Sequence, residues 1–93
     1  MKFAAVCGSG LGSSFIVEMN INSVLNELGV SDVEVAHYDL GSATPELADV
    51  FFVGRDLADS AQHLGEIVVL ESIIDLDELK DKVGQTCKEK GLI

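Results

Sequence analysis

The sequence predicts an α/β domain in which a mainly parallel β-sheet is flanked by helices on both faces. Three observations support this class. Short apolar runs alternate with segments of helical periodicity, glycines close most of the apolar runs, and capping residues open the helical segments. The chain has 93 residues, enough for one such domain and too few for two, so we expect a single domain over residues 1–93.

Four segments have the pattern of strands. Lys2–Cys7 and Val50–Val53 are continuous apolar runs followed by glycine, which is typical of strands buried on both faces. Along Asp32–Tyr38, successive side chains alternate between two sets, one for each face of a strand. Glu66–Leu70 is a further short apolar run. Strands separated by helical segments are expected to pair in parallel.

The first helix is expected to start at Ser13 or Ser14, which can cap it, and to stop at Gly29. Its apolar positions at helical spacing are Val17, Ile21, Val24, Leu25 and Leu28. Thr44-Pro45-Glu46 favours one helical turn.

Two further helices are predicted in the second half of the chain. Arg55–Leu64 should form a short helix, with Leu57, Ala58, Ala61 and Leu64 on one side. Asp75 and Glu78 have the spacing of a capping box at the start of the last helix. That helix should place Leu76, Leu79, Val83 and Cys87 on one apolar face.

Acidic residues far outnumber basic ones, with sixteen Asp plus Glu against six Lys plus Arg and a formal net charge of −10. Such a surface repels nucleic acid and anionic lipid, so we expect neither as a direct partner. No apolar stretch approaches the ~18–20 residues needed to cross a bilayer, and the N-terminal run is too short for a signal peptide. We therefore expect a cytoplasmic protein, and the start at Met1 favours a free-standing chain.

The two cysteines, Cys7 and Cys87, are far apart, and neither belongs to a CxxC pair or a Cys/His cluster. This argues against a disulfide and against a zinc site, and no other cofactor is expected. Any cysteine chemistry therefore has to come from a single thiol.

Ligands of parallel α/β sheets bind beyond the carboxyl ends of the strands. Four segments should meet there, and this edge is the predicted site: Cys7–Ser14, His37–Leu40, Gly54–Asp56 and Glu71–Asp75.

The segment after the first strand carries the strongest chemical signal. Three alternate glycines allow close approach of the backbone to a ligand, and the following helix adds its positive end. This predicts a phosphate loop formed by Gly8, Ser9, Gly10, Leu11, Gly12, Ser13 and Ser14. The same N–H groups favour a thiolate at Cys7, so a covalent phosphocysteine is chemically reasonable.

The loop has several other interpretations. A dinucleotide fold requires glycine where Ser13 stands and about twice this chain length, although Asp39 resembles a ribose-binding acid. A mononucleotide P-loop is excluded because the loop has no lysine. A cysteine phosphatase would need a phosphate-clamping arginine at Ser13. Cys7 could also be a purely structural strand-end residue, or the loop could bind a phosphate-bearing ligand without covalent chemistry.

The chain resembles the enzyme IIB component of the bacterial phosphoenolpyruvate-dependent sugar phosphotransferase system, in the lactose/cellobiose, galactitol and ascorbate branch. It looks most similar to the ascorbate-specific proteins, through the run from Val6 to Phe15 and then Glu18-Met19-Asn20. The similarity extends over the whole chain and is most specific around Cys7–Asn20.

This resemblance implies a four-stranded parallel sheet of order 2-1-3-4 and a phosphoryl relay. A histidine-phosphorylated IIA protein would donate to Cys7, and Cys7 would donate to a sugar, L-ascorbate, bound in the membrane-embedded IIC permease. Gly8–Ser14 match the family's phosphate loop, and the family does not require the phosphatase arginine. A monomer is expected, because a carrier must visit two partners.

Other residues are candidates for accessory roles. Arg55, the only fixed cation between Phe3 and Leu79, should lie near the phosphate or on a docking face, unless it is a solvated residue beside Asp56 and Asp59. His37 either orients the phosphoryl group or is a half-buried, hydrogen-bonded residue. The remaining expectations are Leu11 and Phe15 as exposed docking anchors, Met19 and Cys87 as packing residues, and His63 as a residue of a last helical turn.

Overall fold

A computed structural model describes residues 1–7, 13–73 and 75–93 of the protein, without the side chains of Ser13 and Ser14. Within these ranges the main elements, in chain order, are β1 (Lys2–Cys7), α1 (Ser13–Leu28), β2 (Glu34–Asp39), β3 (Val50–Gly54), β4 (Ile67–Leu70) and α2 (Leu76–Glu89). Short 3₁₀ segments cover Pro45–Leu47, Arg55–Leu57 and Asp59–Leu64.

The strands form one parallel sheet of order β2-β1-β3-β4, which confirms the expected fold class and strand order. The register aligns the strand ends. Cys7 is the partner of Asp39, and Gly54 is the partner of Leu70. The last residues of the four strands therefore lie along one edge of the sheet.

The two faces of the sheet carry different layers. Helices α1 and α2 cover one face over the larger core, whose biggest buried side chains are Phe3, Phe52, Ile21, Leu70, Leu79 and Val83. The 3₁₀ segments and their neighbouring loops cover the other face, over Ala4, Val6, Phe51, Val53, Ala61 and Leu64. Strand residues alternate between these cores, which is why the central strands are apolar throughout.

Strand β2 begins two residues later than the sequence pattern indicated and ends one residue later. Lys2 is the partner of Glu34, and the Glu34 N–H donates to the carbonyl of Met1 at 3.0 Å. Residues ahead of Glu34 lie beyond the start of β1 and have no strand to pair with. The turn expected at Thr44-Pro45-Glu46 is confirmed as the 3₁₀ segment Pro45–Leu47.

The short helix expected over Arg55–Leu64 is present as two consecutive 3₁₀ helices, Arg55–Leu57 and Asp59–Leu64. The bonds are i to i−3: Ala58 N–H to the Arg55 carbonyl at 3.2 Å and Ala61 N–H to the Ala58 carbonyl at 3.3 Å. The side-chain amide of Gln62 also donates to the Ala58 carbonyl, at 3.1 Å. Ala61 and Leu64 are buried as expected, and His63 lies in the last turn.

The capping box at α2 is only half formed. The Asp75 carboxylate accepts from the Glu78 N–H at 3.1 Å, as expected. The Glu78 carboxylate instead accepts from the N–H groups of Glu71 and Ser72, at 2.7 and 2.9 Å. Glu78 therefore ties the start of α2 to the segment that follows β4.

Leu76 was expected on the buried face of α2, and this is wrong. Its exposed fraction is 56%, whereas Leu79, one turn later, is 2% exposed. The first turn of α2 does not reach the core, which begins at Leu79.

Leu76 and Leu79 give a matched test of where the buried part of α2 begins. Leu79→Ala should lower the free energy of unfolding by ~2–5 kcal/mol, because it removes buried contacts and leaves a cavity. Leu76→Ala should change it by less than ~0.5 kcal/mol. Urea unfolding followed by circular dichroism measures both, and equal losses would contradict the burial of the helix described above.

Candidate functional site

The carboxyl-end edge of the sheet brings together the described parts of all four segments that were expected there. Cys7 ends β1, Asp39 ends β2 and Gly54 ends β3. Glu71 and Ser72 follow the end of β4. The parallel pairing is what places these residues, which are distant in sequence, along a single line.

Cys7 lies on the face of the sheet that α1 covers. It follows Phe3 and Ala5 in the strand alternation, and both belong to the core under α1 and α2. Its exposed fraction is 7%, and it is not a member of either core cluster. The Cys7 carbonyl accepts from the Leu40 N–H at 2.9 Å, which fixes the backbone at the end of the strand.

Most of the predicted phosphate loop lies outside the described residues. Gly8, Ser9, Gly10, Leu11 and Gly12 are not described, and neither are the side chains of Ser13 and Ser14. Its two ends are defined: Cys7 at the end of β1 and the start of α1 at Ser13. The first turn of α1 has no acidic residue, so no side-chain carboxylate there offsets the positive end of the helix.

A cleft of about 660 Å³ lies beside the end of β1, lined by Gly54, Arg55, Asp56, Leu70, Glu71, Ser72 and Ile73. Gly54 follows Val53, the partner of Val6, and so lies next to the end of β1. A Cβ at Gly54 would lie 2.7 Å from Asp56 Oδ1 and 3.4 Å from Ile73 Cγ2. The glycine is therefore what lets Asp56 fold back over the end of β3.

Arg55 lies at this edge, as expected, and its guanidinium donates to Glu71 at 3.2 Å. The two side chains are 76% and 64% exposed, so the pair is screened by water and contributes little to stability. Both groups face the cleft from adjacent strand ends. Arg55 is thus available at the site, and its partner Glu71 was not singled out from the sequence.

His37 is hydrogen-bonded, as one of the two interpretations had it, and its side chain is 47% exposed. Its Nδ1 lies 2.6 Å from Glu18 Oε1 on α1. The Phe15 ring lies against the imidazole, with ring centroids 5.7 Å apart. This cluster joins α1 to β2 close to the site, and the role of Glu18 was missed because its partner is 19 residues away.

The two free thiols differ in their surroundings. Cys87 is fully buried, as expected, and burial raises its pKa from the ordinary value of 9.0. Cys7 is 7% exposed and is the last residue of β1, at the carboxyl-end edge of the sheet. Within the described ranges, no group of three or more His, Cys, Asp or Glu side chains could hold a metal ion.

Helices long and apolar enough to span a bilayer do not occur in the part of the chain that the structure describes.

Comparison with known proteins identifies the family. The family model described as "PTS system, Lactose/Cellobiose specific IIB subunit" matches residues 2–91. The solved lactose-specific IIB domain of the phosphoenolpyruvate:carbohydrate phosphotransferase system from Streptococcus pneumoniae is similar in fold, with a TM-score of 0.63. Its sequence is 19% identical, and the match covers 97% of this chain and 93% of that one. Among curated proteins, the search gave no match.

A parallel four-stranded domain of this kind, matched by that family model, is a IIB component of a sugar phosphotransferase system. The chain belongs to the lactose/cellobiose-type IIB family. It is therefore a phosphotransferase component with a phosphoryl-carrier role, and membership implies a IIA donor and a IIC permease as partners.

The two thiols should react at different rates with iodoacetamide. Cys7 should be alkylated at least ~10-fold faster than Cys87, because the raised pKa and burial of Cys87 keep it protonated and out of contact with the reagent. Peptide mass spectrometry after timed labelling measures both rates. Labelling in urea, where the two rates should converge, is the control. Faster alkylation of Cys87 than of Cys7 in the native protein would contradict the difference in their surroundings.

Proposed function

We propose that Cys7 is the phosphoryl acceptor of this IIB component. The observation that supports it is the position of Cys7 as the last residue of β1, at the ligand edge and on the α1 face. The glycine-rich segment and then the start of α1 follow it directly. Main-chain N–H groups and a helix N-terminus in this arrangement stabilise both a thiolate and a phosphoryl group.

The relay has two displacement steps. The Cys7 thiolate attacks the phosphorus of a phosphohistidine on the IIA protein, the S–P bond forms, the N–P bond breaks, and the histidine nitrogen keeps the electron pair and takes up a proton. A sugar hydroxyl then attacks the same phosphorus and releases its proton to water, the O–P bond forms, and the S–P bond breaks to return the thiolate. Residues Gly8–Ser14 would hold the phosphoryl oxygens through both steps.

The loop suits a carrier better than a hydrolase. A cysteine phosphatase uses an arginine fork to stabilise the hydrolytic transition state, and Ser13 occupies the corresponding position. Arg55 lies beyond the end of β3 and is paired with Glu71. A phosphocysteine without such a clamp would react slowly with water, and a relay requires that.

We propose L-ascorbate as the transported sugar. The proposal is supported by the resemblance of the run from Val6 to Phe15, with Glu18-Met19-Asn20, to ascorbate-specific proteins. The matching family model and the solved structure carry lactose/cellobiose names. Transfer assays with IIA proteins of the lactose, galactitol and ascorbate types distinguish these systems.

In this proposal residues 1–93 act as one domain in the cytoplasm, as a monomer that visits the inner face of the membrane through its permease. His37 is bonded to Glu18 and has a positioning role for α1 rather than a direct role in transfer. Arg55 contributes to the approach of the phosphoryl group from the cleft side.

Incubation with phosphoenolpyruvate, the general phosphotransfer proteins and a IIA protein should add one PO₃ group to the chain. Intact mass spectrometry detects the added group, and fragmentation locates it. Cys7→Ser should abolish the mass gain, because the acceptor sulfur is gone, and Cys87→Ser should retain it. Transfer that survives in Cys7→Ser would reject Cys7 as acceptor, and phosphate binding without any mass gain would indicate a non-covalent function.

Arg55→Gln should slow transfer from the IIA donor severalfold, because it removes the cation at the cleft and leaves Glu71 unpaired there. Lys80→Gln is the matched control, since Lys80 is also an exposed cation in an ion pair, with Glu27 on α1. Both substitutions change the net charge equally. Equal transfer rates in both variants would show that Arg55 has no specific role in transfer from the donor.

A further inference from the structure

We propose that three exposed apolar residues of α1, Phe15, Ile16 and Met19, form the surface on which the phosphorylated IIA donor docks. This set is called the α1 docking surface below. The proposal rests on the proposed function, since it concerns the protein that delivers the phosphoryl group to Cys7.

Exposed apolar side chains are not scattered over the molecule. In the described part of the chain the large ones are Met1, Phe15, Ile16, Met19, Leu76 and Ile93. Met1 and Ile93 are the chain ends. The other four lie in the first two turns of α1 and the first turn of α2, helices that begin at the edge of the sheet where Cys7 ends β1.

The three residues on α1 form one continuous surface. They are 51%, 53% and 53% exposed, and Met19 lies four residues after Phe15 and three after Ile16, spacings that make it a neighbour of both on the helix surface. Met19 was expected to pack inside. The buried stripe of α1 instead runs through Val17, Ile21 and Leu25, and Met19 points away from it.

This surface is held in place before any partner arrives. The Phe15 ring rests on the His37 imidazole at 5.7 Å between centroids, and His37 is bonded to Glu18 at 2.6 Å. These contacts fix the first turns of α1 against β2. Aromatic and long apolar side chains that are already positioned contribute most to binding, since little freedom is lost on association.

Charge explains why the donor is the expected occupant. In a chain of net charge −10, residues 13–26 contain a single charged side chain other than histidine, Glu18, which is 18% exposed and paired with His37. Leu76, by contrast, lies between Asp75 and Asp77. The donor brings an anionic phosphohistidine, so it should approach where acid is scarcest. In the second step the phosphoryl group is already on Cys7. The permease therefore brings no anionic phosphoryl group and does not need a surface that is poor in acidic residues.

Neutral substitutions test the surface without changing charge near the thiol. Phe15→Gln, Ile16→Gln and Met19→Gln are compatible with a helix and leave the net charge unchanged. Ile16→Gln and Met19→Gln remove exposed apolar area, and Phe15→Gln also removes the ring contact with His37. Each should raise the KM for the phosphorylated IIA protein about tenfold while kcat stays close to that of the unchanged chain. The probe is whichever of the lactose-, galactitol- and ascorbate-type IIA proteins transfers fastest to the unchanged chain. Ile93→Gln is the matched control, because Ile93 is 55% exposed at the end of the chain, and it should have no effect.

The outcomes separate the two proposals. If the unchanged chain takes up phosphate and all three variants keep its KM, the docking surface is wrong and the proposed function stands. A fall in kcat without a change in KM also rejects docking, since it indicates damage at the site. If the unchanged chain takes up no phosphate from any of the IIA proteins, both proposals fail.

A charge series at one position tests the identity of the occupant. Met19→Lys and Met19→Glu have similar sizes and opposite charges. An anionic donor should give a lower KM for Met19→Lys than for Met19→Gln, and the highest KM for Met19→Glu. Equal KM values across the series, with impaired transfer from the phosphorylated chain to permease membranes instead, would assign the surface to the permease.

Discussion

The parallel pairing of β1 between β2 and β3 is the constraint on which the rest of the structure depends. It buries β1 on both faces and turns the carboxyl ends of all four strands to one edge. Cys7 is the last residue of that central strand, so its position is set by the core rather than by the loop after it. A thiol placed in this way is fixed relative to α1, which packs on the same face of the sheet.

The two sides of Cys7 have different characters. On the β2 side, the Glu18–His37 pair and the Phe15 ring present an apolar, nearly uncharged part of α1. On the β3 side, the cleft carries charged groups, with Arg55 paired to Glu71 and Asp56 folded over Gly54. In the proposed relay, α1 on the first flank provides apolar area for the donor protein, and Arg55 on the second provides a cation for its phosphoryl group.

The strong negative charge is compatible with phosphoryl transfer because of where the acids lie. The first turn of α1 contains none, whereas the first turn of α2 contains Asp77 and Glu78. Surface charges farther away than ~8 Å are largely screened at physiological ionic strength. Distant acids therefore contribute little at Cys7, whose register partner in the sheet is the acidic residue Asp39.

The sequence by itself determined the fold class, the order of elements and the convergence of segments on one edge, because buried parallel strands are continuous apolar runs and helices repeat every 3.6 residues. It did not determine which exposed side chains meet: Glu18 with His37, Arg55 with Glu71, and Glu78 with the segment after β4 are long-range contacts that carry no local pattern. It also misplaced Met19 and Leu76, since periodicity shows that a residue is apolar and on a helix, whereas only packing shows where the core ends. The 3₁₀ geometry after β3 was not determined by the sequence either, because apolar spacing does not show whether an N–H group bonds to the carbonyl three or four residues before it.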